Sequence, residues 1–204
     1  MSCASDLTNV ILTGVGGQGN VLAARILASV ALAEGYEVTV GDVYGITQRG
    51  GSVASHVRWI KGNPLPPSVP QHSLDVLLAF EPLEAVRVLK KYGSKETRVI
   101  VDDTPVIPIG AQIGRFDYPD PVDIKETLRH LANEVKIIKA TSIAKETGNI
   151  QVLNMVMLGA LCGSGFVPFE LRAFENKVES FISKKFLRID LDALRSGYDF
   201  VKAD

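Results

Sequence analysis

Cysteine is nearly absent: Cys3 and Cys162 are the only two in 204 residues. They lie far apart, and neither sits in a C-x-x-C pair or beside clustered histidines. An iron–sulfur cluster usually takes four thiolates, and a structural zinc four Cys or His ligands. This chain alone builds neither in the usual way, so any metal centre it serves in electron transfer sits on another chain. Cys162, in an apolar helical run, reads as a core residue. The three histidines, His56, His72 and His130, show no zinc spacing. No serine stands in a G-x-S-x-G elbow, and no G-x-x-x-x-G-K-[ST] loop occurs, which removes P-loop ATP hydrolysis. Charge of one sign is also missing. The formal net charge of −1 gives no broad attraction to nucleic acid. No run reaches the ~18–20 apolar residues of a membrane span. Met1 to Asp6 has neither a basic stretch nor a long apolar one, so a cytoplasmic location is expected.

What is present is ordinary in amount, with 46% hydrophobic and 22% charged residues, and enough to bury a sizeable core. The length predicts a single domain, with a sheet core over about 7–140 and a helical C-terminal part over about 141–204.

The most informative stretch is Val10-Ile11-Leu12-Thr13-Gly14-Val15-Gly16-Gly17-Gln18-Gly19-Asn20. An apolar, β-branched run feeds a glycine-rich turn, and the turn feeds a helical pattern from Val21 to Glu34. Gly14, Gly16 and Gly19 fall on the G-x-G-x-x-G spacing, the opening of a nucleotide-binding α/β domain. A helix starting there points free N–H groups at the loop, where an anion binds. The alternative is that the glycines only let helix and strand pack closely. Tyr36 to Asp42 reads as the second strand. Asp42 ends it roughly twenty residues on, where a dinucleotide fold places its ribose-binding acid.

The pattern then departs from that fold. Val43 to Ser52 is a polar, glycine-punctuated loop containing Gln48-Arg49-Gly50-Gly51-Ser52. Arginine is a fixed cation with a planar fork suited to carboxylate or phosphate. The two glycines after it expose backbone N–H groups. The loop either binds a ligand or partner, or is a bulge with Arg49 paired to an acid such as Asp42. Val53 to Trp59 alternates as a half-buried strand does, antiparallel or at an edge, with Ala54, His56 and Arg58 sharing one face. His56 is a candidate base, although a lone strand histidine is more often structural.

Pro64, Pro66, Pro67 and Pro70 mark an extended connector. Asp75–Phe80, Thr97–Val101 and Val135–Lys139 read as buried strands, with a helix from Glu81-Pro82 to Tyr92 and another from Pro121 to Ala132. Thr104 to Tyr118 is irregular, with short strands around Ile107 and Ile113. Thr141 to Glu146 is a short helix. Asn149 to Gly163 is a helix apolar nearly all round, hence buried. Gly159 and Gly163 permit close packing there, and Asn154 needs a hydrogen bond. Pro168 opens a further helix, and Asp190 or Asp192 caps the last. The expected fold is α/β: a Rossmann-like three-layer sandwich with a mostly parallel mixed sheet and C-terminal helices.

Two motifs together carry a resemblance: Gly14-Val15-Gly16-Gly17-Gln18-Gly19, and the run from Tyr44 through Gln48-Arg49-Gly50-Gly51-Ser52-Val53-Ala54-Ser55-His56-Val57-Arg58. The chain resembles the gamma-type subunits of 2-oxoacid:ferredoxin oxidoreductases, and most of all their indolepyruvate branch. The resemblance covers Leu7 to the C-terminus. It implies a required small subunit in a complex that oxidatively decarboxylates aryl 2-oxoacids to acyl-coenzyme A and passes electrons to ferredoxin. It also implies a large partner subunit holding thiamine diphosphate and the iron–sulfur clusters, with no cofactor firmly assigned to this chain. Arg49 and the Gly50-Gly51 backbone would then line an interface or the approach of coenzyme A. Pyruvate, 2-ketoisovalerate or 2-oxoglutarate as substrate, a free-standing NAD(P)- or FAD-dependent oxidoreductase, and a non-catalytic scaffold remain open at this point.

Overall fold

The computed structural model describes residues 7–44, 50–107, 109–114 and 117–203. Six strands form one sheet: β1 (Thr8–Val15), β2 (Glu37–Tyr44), β3 (Ser52–Ile60), β4 (Val76–Ala79), β5 (Arg98–Asp102) and β6 (Glu134–Ile138), in the order β2-β3-β1-β4-β5-β6. β3 runs antiparallel to both of its neighbours, while β4, β5 and β6 follow β1 in parallel. The sheet is therefore mixed and mostly parallel, as expected.

Helices cover both faces. α1 (Asn20–Ala33), α6 (Leu153–Gly163), α7 (Leu171–Phe181) and α8 (Lys184–Lys202) pack on one face, where Val10, Leu12, Val57 and Ile100 point. α2 (Pro82–Tyr92) and α4 (Pro121–Leu131) pack on the other, against Ile11, Leu77, Val99 and Val101. Alternate residues of one strand thus feed two cores, so β1 reads as a continuous apolar run.

Helix ends follow local chemistry. Glu81 caps α2, its carboxylate accepting from Glu84 N at 2.8 Å, and Pro82 fills the first turn. Asp120 and Pro121 do the same for α4. Every residue of α6 is buried, and each large apolar side chain there contributes roughly 1.5–3 kcal/mol of transfer free energy.

Several expectations are corrected. β2 continues to Tyr44, so Asp42 lies inside it rather than at its end. β3 is antiparallel, the first of the two options expected for it, and interior, with β2 at the edge. It is also not half-buried: the proline-bearing segment 62–70 lies over the face that carries His56 and Arg58. Arg58 Nη1 donates to Pro66 O (2.7 Å) and Ser68 O (3.1 Å), and Thr39 Oγ1 donates to Leu65 O (2.9 Å). Alternation records which side chains are polar, not what covers them. Around Ile107 and Ile113 the described residues form a single turn, α3 (Ile109–Gln112), instead of strands. The apolar run from Asn149 splits into a 3₁₀ turn (Ile150–Val152) and α6, leaving Ile150 exposed. α7 starts at Leu171, after Pro168. α8 starts at Lys184, so neither Asp190 nor Asp192 is its cap. Between β6 and α6 stands α5 (Ala140–Glu146), tied to β5 by Asp102, which accepts from Thr141 N and Oγ1 at 3.1 and 2.5 Å. No helix among the described residues is long and apolar enough to cross a membrane.

Candidate functional site

The glycine loop lies where the sheet changes connection, between β1 and the helices on its two sides, the usual crevice of an open α/β sheet. Gly14 is there for space. A Cβ on it would meet Gln18 Oε1 at 2.5 Å and Phe80 Cβ at 2.9 Å. Gly17 and Gly19 are there for conformation, with φ of 115° and 84°, which L side chains adopt poorly. Gly19 is the N-cap of α1, and no side chain caps that helix or places an acid in its first turn.

Gln18 closes the loop. Its Oε1 accepts from Val15 N at 2.7 Å, and its Nε2 donates to Phe80 O at 2.8 Å. One amide thereby ties the end of β1 to the end of β4. The second motif joins the first through its backbone: Gly16 N donates to Gly51 O at 2.8 Å, and Gly50 N donates to Gly16 O at 3.3 Å. The Gly50 N–H expected to be free is therefore spent inside the protein.

Two cavities flank this structure. One of about 390 Å³ is lined by Gly16, Gly17, Gly19, Asn20, Tyr44 and Val53, among others. Asn20 Nδ2 is buried beneath the loop, 3.0 Å from where a Cβ on Gly14 would stand, without a hydrogen-bond partner among the described residues. An orphaned donor beside an uncapped helix N-terminus suits an anionic or carbonyl oxygen. The other cavity, about 320 Å³, includes Gly17, Gln18, Thr104, Thr141 and Lys145.

Ser52, at the start of β3, is anchored by a residue the sequence reading missed. Its Oγ donates to Glu84 Oε2 at 2.6 Å, and Glu84 is also paired with Arg87 at 2.5 Å. Beside it, Tyr118 Oη donates to Glu81 Oε1 at 2.5 Å. Burial lifts the Glu81 carboxyl above its ordinary value, with the Tyr118 hydrogen bond opposing. The signal for Glu84 was its place three residues after the Glu81 N-cap, a capping-box spacing. Its reach to Ser52 is a long-range contact that no local pattern reveals.

The structure thus gathers Gly14, Gly16, Gly17, Gln18, Gly19, Gly50, Gly51 and Ser52. Gln48 and Arg49 lie outside the described residues. Asp42 is not brought to the loop, because β3 separates β2 from β1. Its carboxylate instead accepts from Ser55 Oγ at 2.5 Å. A dinucleotide fold would need that acid on the strand next to β1.

His56 is also elsewhere. Four residues along β3 from Ser52 is about 13 Å. It is buried, edge-on to Tyr92 with ring centroids 5.0 Å apart, and its Nδ1 accepts from Val69 N at 3.1 Å. Burial, then Lys91 and Arg58, push its pKa below 6.5. The consequence is a stability slope. The unfolded chain takes up a proton near pH 6.5 that the folded chain refuses, so stability is full above that value and falls as pH drops below it. His56→Asn keeps an acceptor for Val69 N and removes the titration. Urea midpoints of that variant are expected to lose up to about 1.4 kcal/mol per pH unit of this slope below pH 6.5. An unchanged slope means that His56 does not titrate as described.

The sequence matches the pyruvate ferredoxin/flavodoxin oxidoreductase family over residues 9–200. The chain belongs to that family as a gamma-type subunit. It is 34% identical to the indolepyruvate oxidoreductase subunit IorB of Archaeoglobus fulgidus over 191 residues, 94% of each chain. Subunits of the same name from three other archaea share 32–33%. The common gamma subunit of the pyruvate/ketoisovalerate oxidoreductases of Pyrococcus abyssi shares 28%, over 91% of this chain and 92% of that one. In fold, it matches the gamma subunit of a keto/oxoacid ferredoxin oxidoreductase from Geobacter sulfurreducens, with a TM-score of 0.69, 22% identity, and coverage of 97% and 99% of the two chains. The expected family and fold of this gamma-type subunit therefore hold. Among its described residues no group of three His, Cys, Asp or Glu could hold a metal ion. Cys162, the free buried cysteine, has its thiol pushed up to about 11 by burial, which suits a core residue rather than a ligand.

Proposed function

We propose that this chain is the small subunit of an arylpyruvate-oxidising, ferredoxin-linked complex whose large subunit holds thiamine diphosphate and the iron–sulfur clusters. The observation that carries this reading is the identity gap. Relatives named for indolepyruvate share 32–34%, against 26–28% for those named for pyruvate/ketoisovalerate. In the overall reaction the 2-oxoacid loses carbon dioxide, its acyl group passes to coenzyme A, and two electrons go singly to two ferredoxins. Thiamine diphosphate on the partner supplies the carbanion chemistry, and its clusters supply the one-electron path.

This chain's own part is to shape a face of the site. The N-terminus of α1, capped by no side chain, offers backbone N–H groups at the cavity lined by Gly16, Gly17 and Gly19. These suit the phosphates or carbonyls of coenzyme A. Gln18 and the Gly16–Gly51 pairing hold the glycine loop and the Gly50-Gly51 backbone in register. Arg49 would line the subunit interface or the path of coenzyme A.

The test is Arg49→Ala in the assembled complex. One charge-assisted contact is worth roughly 1.5–3 kcal/mol. Turnover of arylpyruvate is therefore expected to fall by about ten- to a hundredfold, with the melting temperature within about 2 °C of the parent. Unchanged turnover removes the role of Arg49. Turnover that falls only because the subunit is lost from the complex makes the loop a scaffold.

A further inference from the structure

Asp190 is the outlier of α8. The buried stripe of that helix is Asp190, Ala193, Leu194, Gly197 and Val201, at the spacing of one helical face. A carboxylate occupies the first position of a stripe that is otherwise apolar or glycine. It lies well inside a helix that begins at Lys184, so it has no cap to make. It is 7% exposed and makes no hydrogen bond or ion pair among the described residues. Burial raises its pKa, and no charged group opposes that. Carboxylates this buried are ordinarily paired.

Asp190 lines a cavity of about 220 Å³ together with Asn149, Asn154 and Ser183. Asn149 Oδ1 accepts from Gln151 N, and Asn154 Oδ1 accepts from Met155 N, so each carbonyl oxygen keeps a free lone pair. Phe181 and Phe186 also line it, 40% and 49% exposed. No lysine, arginine or histidine lines the cavity among the described residues. One buried carboxylate, the amides of Asn149, Gln151 and Asn154, and a largely apolar wall thus surround a space lined by no cationic side chain among the described residues. Lys185 Nζ already lies 5.1 Å from the Phe186 ring centroid, just outside the lining, so cations are drawn to this rim and Phe181 is the ring left to a ligand. The space is smaller than a drug-sized site and suits a head group on a few carbons.

We infer that this cavity binds a compact organic cation, a guanidinium or primary ammonium group, with Asp190 as its counter-ion. The inference stands apart from the reading of the glycine loops. The cation has two possible carriers: a small free amine, or a basic side chain of a partner chain.

The experiment titrates the full chain calorimetrically with n-butylguanidinium, n-butylammonium and the uncharged n-butanol. Saturable binding is expected for the two cations and none for the alcohol. Asp190→Asn, nearly isosteric, lowers the cation affinity at least about tenfold by removing the charge. Because it also removes an unpaired buried charge, its melting temperature stays equal or rises, which checks folding. Asp192→Asn, on the exposed side facing Arg188 at 3.9 Å, leaves binding unchanged. Repeating the titration on the chain isolated in complex separates the carriers. Blocked binding there assigns the site to a partner's side chain, and retained binding assigns it to a free amine. Absence of saturable cation binding to the chain, or binding that survives Asp190→Asn, overturns the inference.

Discussion

Gly197→Ala leaves much of the chain unfolded under conditions where the parent is fully folded. α6 and α8 cross with backbone on backbone. A Cβ at Gly197 would stand 2.0 Å from Val156 O, and one at Gly159 would stand 1.9 Å from Leu194 O. Gly163 meets Tyr198 O at 2.6 Å in the same way. Overpacking a core usually costs about 1–3 kcal/mol, because flexible side chains give way. Here the obstacle is a helical carbonyl, which cannot move without breaking its own hydrogen bond. The helices must separate instead, and α6 has no exposed residue to yield. We expect about 4 kcal/mol or more, a large part of the ~5–15 kcal/mol that holds such a chain folded. At about 2–4 °C per kcal/mol, the melting temperature falls by roughly 8–16 °C. Gly148→Ala is the control. It has positive φ, 93°, but nothing within 4 Å of its Cβ, so it costs about 1 kcal/mol. Circular dichroism melts of the two variants decide the matter. A Gly197→Ala melt as mild as that of Gly148→Ala contradicts the packing.

The second large effect is Arg58→Ala, expected to cost about 3 kcal/mol. The guanidinium is buried, and it donates to Asn9 Oδ1 at 2.7 Å as well as to Pro66 O and Ser68 O. It has no carboxylate partner among these, and burial pulls its pKa below the usual value. Truncation strands three acceptors beneath the 62–70 segment, each desolvated without its donor. Arg58→Lys rescues little, because a single ammonium cannot reach the set that the planar fork spans. Urea denaturation reads the loss directly. In the assembled complex, the turnover per folded subunit is expected to stay near that of the parent, which separates Arg58 from Arg49. A variant that melts normally but turns over slowly would move Arg58 into the site.

The Ser-His-Val-Arg continuation pointed to the family, and its contacts in the structure are within the sheet. Ser55 holds Asp42, His56 receives Val69 N, and Arg58 holds the proline segment. The whole run is a clasp for the sheet's edge. Sequence pattern revealed polar residues at period two; it could not reveal that another segment folds back over them. The opening strand, loop and helix were readable because an apolar run, glycines and a helical period are local signals. So were the helix starts at Pro82 and Pro121, and the close packing allowed by Gly159 and Gly163. Gly197 went unmarked, since a single glycine in a long helix gains meaning only from the helix opposite. Asp42 was misplaced for a topological reason: the inserted β3 separates two strands that are neighbours in a dinucleotide fold. Asn20, Glu84 and Asp190 were missed because their roles depend on what does, or does not, face them in space.

The central claim is that this chain works as the small part of an arylpyruvate-oxidising complex. Its most direct test is native mass spectrometry of the chain purified without oxygen from its source cells, with the same sample assayed for ferredoxin reduction. The account predicts a larger partner chain carrying iron, sulfide and thiamine diphosphate, and reduction that requires both an arylpyruvate and coenzyme A. A chain that arrives alone with a nucleotide-sized adduct, or a complex that oxidises pyruvate and ignores arylpyruvates, contradicts it.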